Sequence, residues 1–275
     1  MNIELLAKNQ SRFLGAQAHT SDHRDLAFKN YCDAQRILED HTVAAIDWTA
    51  WKTYNGIIVP DDTDPLGNQK AGCCVLAAPG HHLKRVGLLT GRYYDVTEAT
   101  TLREYQLGTG YDPLTGANDN GANIRDILKR WKNVGLFGTR IDAFATVDWT
   151  NPAEVVAASY IGCGLIGGYD LPLHSQYSTD EEGRPLWNVP PGGFPAGKGK
   201  GTWGGHCIWT FSRSPGLEVG NSWGERTAST QPWQSECCFE KYIVIHKDWL
   251  LRDGNRAPNG FAYQDMLSDV LARAA

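Results

Sequence analysis

Two cysteines stand side by side in "NQKAGCCV" (68–75), and a histidine and an asparagine follow far downstream in "GGHCIWTF" (204–211) and "LEVGNSWGE" (217–225). Adjacent cysteines rarely bridge to each other, because the ring would strain the peptide between them. A thiol used for acyl transfer needs three aids instead. It must ionise, which a helix N-terminus and a neighbouring imidazolium both favour. It needs a base held by a third group, and donors aimed at the oxyanion. The sequence offers one candidate for each. Cys74 falls where a helix is expected to begin, and His206 follows Gly204 and Gly205, whose missing side chains permit close approach across a cleft. Asn221 lies fifteen residues beyond His206, where a hairpin would return it to fix one tautomer of the ring. Gln69, five residues before Cys74, is placed to donate its amide to the oxyanion together with the Cys74 backbone N–H.

The elements that must position these groups divide the chain into a helical half and a β-rich half. Residues 22–40 read as a helix on partial apolar spacing. A loop then leads to a helix starting near Cys73 or Cys74, which Pro79 and Gly80 should bend or shorten. "DVTEATTLREYQLG" and "NIRDILKRWKNVG" are further helices. The latter keeps Ile124, Ile127, Leu128, Trp131 and Val134 on one face, with Gly135 as the stop. "TRIDAFATVD" alternates as a strand should. In "NPAEVVAASY" Asn151 caps a helix, Pro152 takes its first position and Glu154 completes a capping box. "GLIGGYDL", "HCIWTFS", "LEVGN" and "FEKYIVIH" read as antiparallel strands, a Pro/Gly-rich loop spans 172–205, and "YQDMLSDVLARAA" closes as an amphipathic helix.

Composition narrows the chemistry. The 275 residues are 41% hydrophobic and 21% charged, ordinary for a globular protein, but ten tryptophans and thirty glycines speak for shaped surfaces and tight turns. A net charge of −5 without a basic cluster points away from nucleic acid. No apolar run reaches membrane-spanning length, and the N-terminus lacks the pattern of an export signal. Seven irregularly spaced cysteines argue against a disulfide framework and for free thiols in a reducing, cytoplasmic setting, or for a bacterial or phage protein released without a signal. No C-x-x-C pair supports zinc, and the acidic stretches 61–64 and 112–121 lack calcium-loop spacing, so no metal or cofactor is expected. Ser222 lacks the glycine pattern of a serine nucleophile, and His81 and His82 are expected at the surface.

Taken together, "NQKAGCCV", "GGHCIWTF" and "LEVGNSWGE" resemble the papain family of cysteine peptidases. His206 and Asn221 follow Cys74 by 132 and 147 residues, inside the roughly 130–150 that the family requires. "DNGANIRDILKRWKNVG" is similar to the glycine-containing segment beside the family's substrate groove, and "AIDW" (45–48) faintly to the start of the mature enzyme. The resemblance implies a two-lobed α+β fold, helical lobe against β-rich lobe with a cleft between. It implies a Cys74 thiolate attacking a peptide carbonyl, His206 serving as acid and then base, Asn221 orienting it and Trp223 shielding that bond. Gly121, Gly205 and Trp223 would line the substrate site, and the partner would be a peptide or protein substrate.

The departures are specific. Ala71 stands where the family has a disulfide-forming cysteine, Val75 where it has an aromatic residue, and the Gln69-to-Cys74 gap is one residue short. Cys73 is the alternative nucleophile; Cys74 is preferred because Gly72 then takes the position where the family expects glycine. The expected organisation is an N-terminal extension with one helix (1–60), a helical lobe carrying Cys74 (61–150), a β-rich lobe carrying His206 and Asn221 (151–250) and a C-terminal helix (251–275). Helix 22–40 is read as integral rather than as an inhibitory pro-segment. Two rival functions stay open: a cell-wall peptide hydrolase of bacterial or phage type, and an inactive papain-like binding or structural module.

Overall fold

The computed structural model describes residues 12–18, 22, 25–41, 45–48, 53–54, 57–58, 64–221, 223–250 and 261–272. Ser222 and most of the acidic stretch 61–64 lie outside them. In chain order the described strands are β1 (Ala16–Gln17), β2 (Ile46–Asp47), β3 (Thr53–Tyr54), β4 (Ile57–Ile58), β5 (Ala122–Asn123), β6 (Ala143–Thr146), β7 (Leu165–Leu171), β8 (Leu186–Trp187), β9 (Gly204–Ser214), β10 (Leu217–Asn221), β11 (Arg226–Thr230) and β12 (Cys238–Ile245). The helices are α1 (Ala34–His41), α2 (Cys74–Thr90), α3 (Glu98–Thr109), α4 (Ile124–Asn133), α5 (Pro152–Gly162), α6 (Gln231–Cys237), α7 (Lys247–Leu250) and α8 (Tyr263–Ala272).

The main sheet runs β6-β12-β7-β9-β10-β11-β8, and β2 pairs with the far end of β9. Its pairings are antiparallel except for the parallel β11–β8 contact. Strand alternation sorts β9 between two cores. Cys207, Trp209 and Phe211 join α2, α3 and α4 in one core, whereas Ile208 joins Tyr169, Leu171, Trp187 and Trp233 in another. A third core packs α1, α5 and α8 on β6 and β12 through Ile37, Val155, Ile161, Ala145, Ile243 and Met266.

Helix α2 runs unbroken through Pro79 and Gly80 to a left-handed Gly91. Proline removes an intrahelical bond, but nearly every α2 side chain is buried, so packing holds what propensity would break. Gly80 contributes by its bareness: a Cβ there would lie 2.9 Å from Leu66 Cδ1. His81 and His82, expected at the surface, are buried for the same reason, and His82 Nε2 lies 2.8 Å from the Gly162 carbonyl.

Elsewhere the local rules hold with adjustments. Thr97 and Thr100 form a capping box on α3. Asn151 caps α5 by accepting from Ala153 and Glu154 N–H, but Glu154 accepts from Asp148 N–H at 3.1 Å and forms no box with Asn151. Residues 22–40 do not make one helix. A 3₁₀ turn at Phe28–Asn30 precedes α1, because Leu26 and Ala27 are recruited to pair with Thr146 at the sheet edge. Val134, placed on the apolar face of α4, is instead exposed at its C-terminal end. None of the seven cysteines is in a disulfide.

A buried charge network ties the sheet together. Glu218 accepts from Arg213 at 2.6 Å and from Lys241 at 2.8 Å; Lys241 also reaches Gln234 at 3.1 Å, and Arg213 reaches Gln231 at 2.8 Å. The network therefore pins α6 to β9, β10 and β12. Removing one member leaves the others charged in a dry interior. Glu218→Ala is expected to destabilise the fold by about 3–5 kcal/mol, read as a lowered denaturation midpoint in urea.

Candidate active site

Cys74 is the first residue of α2, and Cys73 occupies the N-cap position without any side-chain cap. The two sulfurs are used differently. Cys73 Sγ is turned back toward the Leu66 carbonyl at 3.7 Å, inside the loop that precedes the helix. Cys74 shares a buried core with Cys207, the residue after His206, where helix α2 packs on β9.

His206 is fully buried on β9, opposite Tyr169 of β7. Its ring stacks on Trp223 with centroids 3.9 Å apart and planes 10° from parallel. Trp203 stacks on Trp223 at 5.5 Å, and the Arg12 guanidinium sits over the Trp223 ring at 4.6 Å. Asn221 ends β10, which forms the expected hairpin with β9 and pairs Asn221 with Trp209. Its Oδ1 accepts from Gly224 N–H at 3.1 Å, closing the tight corner that swings Trp223 onto the imidazole.

The electrostatics are those of a covered site. Burial pushes the Cys74 thiol up to about 12, against the backbone N–H groups of Cys207, Gly15 and Val75, which favour the thiolate. Burial, and then the charge of Arg12, hold the His206 imidazole well below its ordinary value. Burial thus disfavours the thiolate and the imidazolium alike.

Gln69 and its neighbour differ in burial. Gln69 lies in the turn before Ala71 and is exposed, whereas Asn68 is fully buried. The left-handed Leu66 (φ 50°) and Gly67 (φ 83°) turn the chain so that residue 68 points inward. Asn68 precedes Cys74 by six residues and Gln69 by five.

Gly121 and Gly205 both lie against the backbone of residues 15–16. Two further residues, not singled out in the sequence, hold Gly121 in place. Asp119 accepts from Gly72 N–H at 2.9 Å and from Tyr105 O–H at 2.8 Å, and Tyr105 Oη accepts from Gly121 N–H at 2.9 Å. The loop 112–121 thus serves as a brace between Gly72, in the turn before α2, and Gly121, and nothing in its composition announces it. Among the described residues no group of three or more His, Cys, Asp or Glu side chains could hold a metal, and no helix is long and apolar enough to cross a membrane.

No family model matches the chain, and no curated protein matches it by sequence. Solved structures do. Xylellain, a cysteine protease from Xylella fastidiosa, superposes with a TM-score of 0.61 over 86% of this chain and 97% of its own, at 13% identity. The cysteine protease and lectin-like domains of Cwp84 from Clostridium difficile give 0.49 over 88% and 57%, at 12% identity. The Carica candamarcensis cysteine protease CMS1MS2, solved in complex with E-64, gives 0.44 over 74% and 98%, also at 12% identity. Identity this low speaks to architecture, and the architecture of this chain is the α+β papain-like fold found in cysteine proteases.

Proposed function

We propose that the chain is a cysteine peptidase in which Cys74 is the nucleophile and His206 the acid and base. One observation carries the reading: Cys74 opens a buried helix that packs on β9, the strand that carries His206. The helix N-terminus favours sulfur as thiolate once the site is open. Trp223, flat against the imidazole, keeps water from one face of it, and Asn221 holds the corner that carries Trp223. Asn221 would also fix the ring's tautomer as sulfur and imidazole exchange a proton.

In this scheme the thiolate adds to a peptide carbonyl, and His206 protonates the departing amine. It then takes a proton from water, which releases the acid and restores the thiol. The oxyanion is held by the Cys74 backbone N–H and by the side-chain amide of Asn68, taking the role first read for Gln69. A buried amide is already desolvated and fixed, so it needs no reorganisation as charge develops. Gly121 and Gly205 offer backbone groups to an extended peptide, and the substrate is a peptide or protein.

The deciding measurement is hydrolysis of casein and of purified peptidoglycan by wild type and Cys74→Ala protein. Hydrolysis of casein that disappears with the thiol supports the reading, and cleavage confined to peptidoglycan favours the wall-peptide alternative. Hydrolysis that survives Cys74→Ala ends it. His206→Ala should lower turnover about 10²–10⁴-fold. Asn68→Ala should lower kcat by about 10²–10³ with little change in KM, whereas Gln69→Ala leaves kcat near wild type. Tyr105→Phe removes the acceptor of Gly121 N–H, so KM for an extended peptide should rise while thiol alkylation at Cys74 stays intact.

A further inference from the structure

Helix α5 ends inside the protein, and its last carbonyls are met by ring N–H groups. The final four carbonyls of a helix have no partner within it, and burying one bare is costly. Here Trp48 Nε1 donates to the Ser159 carbonyl at 2.9 Å and Trp249 Nε1 to the Ile161 carbonyl at 2.8 Å. His82 Nε2 donates to the Gly162 carbonyl at 2.8 Å, and Trp209 Nε1 to the Cys163 carbonyl at 3.1 Å. A carbonyl can only accept, so the Nε2 of His82 carries the proton. All four rings are buried.

The last two bonds join the halves of the candidate site. His82 belongs to α2, the helix that Cys74 opens, and Trp209 belongs to β9, the strand of His206. They hold consecutive carbonyls, so one corner of backbone fixes both elements. Cys74 lies eight residues before His82, about 12 Å along a helix. His206 lies three residues before Trp209, about 10 Å along a strand. Two stiff arms of nearly equal length thus run from residues 162–163 to the two ends that carry sulfur and imidazole.

The corner is tightly held. Cys163 is left-handed at φ 56° and Gly164 at φ 94°. A Cβ on Gly164 would lie 2.5 Å from the Thr210 carbonyl oxygen and 2.6 Å from Trp209 Nε1. The His82 ring meets Trp131 and Trp209 edge-on, with centroids 6.0 and 6.5 Å away, so neighbouring indoles keep it aimed at its acceptor. Apolar packing alone would not set this register. Burial of Val75, Leu76 and Leu83 is non-directional and changes little as a helix slips along a strand, whereas a hydrogen bond tolerates only a narrow range of distance and angle.

We propose that His82 is a positioning residue, whose bond to the Gly162 carbonyl sets how far α2 reaches along β9 and so where Cys74 stands relative to His206. The proposal rests on the reading of those two residues as the catalytic pair, and it adds what fixes their spacing. His82 acts through the helix and does not touch substrate. A misplacement of about 1 Å caused far from the chemistry can cost about 10²-fold in rate.

The test uses full-length wild type, His82→Gln, His82→Asn and His82→Leu proteins, with folding checked by circular dichroism and thermal melting. Glutamine carries an N–H at the reach of Nε2, asparagine stops short of Gly162, and leucine has no donor. Rates are measured on a peptide that wild type cleaves, and crystal structures of wild type and His82→Leu give the position of α2 against β9. His82→Leu and His82→Asn should lower kcat about 10²-fold with KM little changed, and His82→Gln should recover most of the loss. In His82→Leu the first turn of α2 should shift along β9 by about 1 Å. Folded His82→Leu with wild-type kcat, or with α2 unmoved, overturns the proposal. A loss of kcat shared equally by the three variants also overturns it, since a donor of the right reach then counts for nothing. If His82→Leu fails to fold, the comparison of His82→Gln with His82→Asn decides. If wild type cleaves no peptide while α2 is displaced in His82→Leu, the catalytic reading falls and the tie between helix and strand stands.

Discussion

The site depends on one seam, where the first turn of α2 meets the start of β9. Cys74 and the strand of His206 are brought together because helix and strand share a core through Cys207, Trp209, Val75 and Leu76. The helix supplies an N-terminus with undirected N–H groups, and the strand packs against it. The β9–β10 hairpin then returns Asn221 and Trp223 to the same end of the strand. The Asp119–Tyr105 brace fixes the opposite wall by reaching both Gly72 and Gly121.

Burial has opposite effects on geometry and on charge here. It holds the His206 ring and the Trp223 indole in fixed relation. It also disfavours both the Cys74 thiolate and the His206 imidazolium. Water reaching the cleft relieves the desolvation of both groups at once. Access to the site and ionisation of the site are therefore a single variable.

Much of this was legible from residue types and spacing. The helix start at Cys74, the hairpin returning Asn221, the cap at Asn151 and the strands of the β-rich half follow from local chemistry that packing did not override. Where reading by period failed, a long-range contact had won. Leu26 and Ala27 left a helical pattern to pair with Thr146, and Pro79 stayed helical because its surroundings gave it no solvent to bend toward. His81 and His82 were misjudged for the same reason, since polarity predicts exposure only where a surface exists. That Asn68 is buried and Gln69 exposed turned on two left-handed residues, of which only Gly67 carries a sequence signal. The contact of residues 15–16 with Gly121 and Gly205 gave none, because backbone against backbone leaves no residue signature.

Helix α2 has almost no solvent-facing side and meets a strand more than a hundred positions later in the chain. A helix so buried on nearly every side cannot settle alone; its nearer neighbours α3 and α4 cover only part of it. On a ribosome, β9 is made long after Cys74 has left the tunnel. Throughout that interval the first turn of α2 lacks the strand it packs against, so the core they share closes only when β9 arrives.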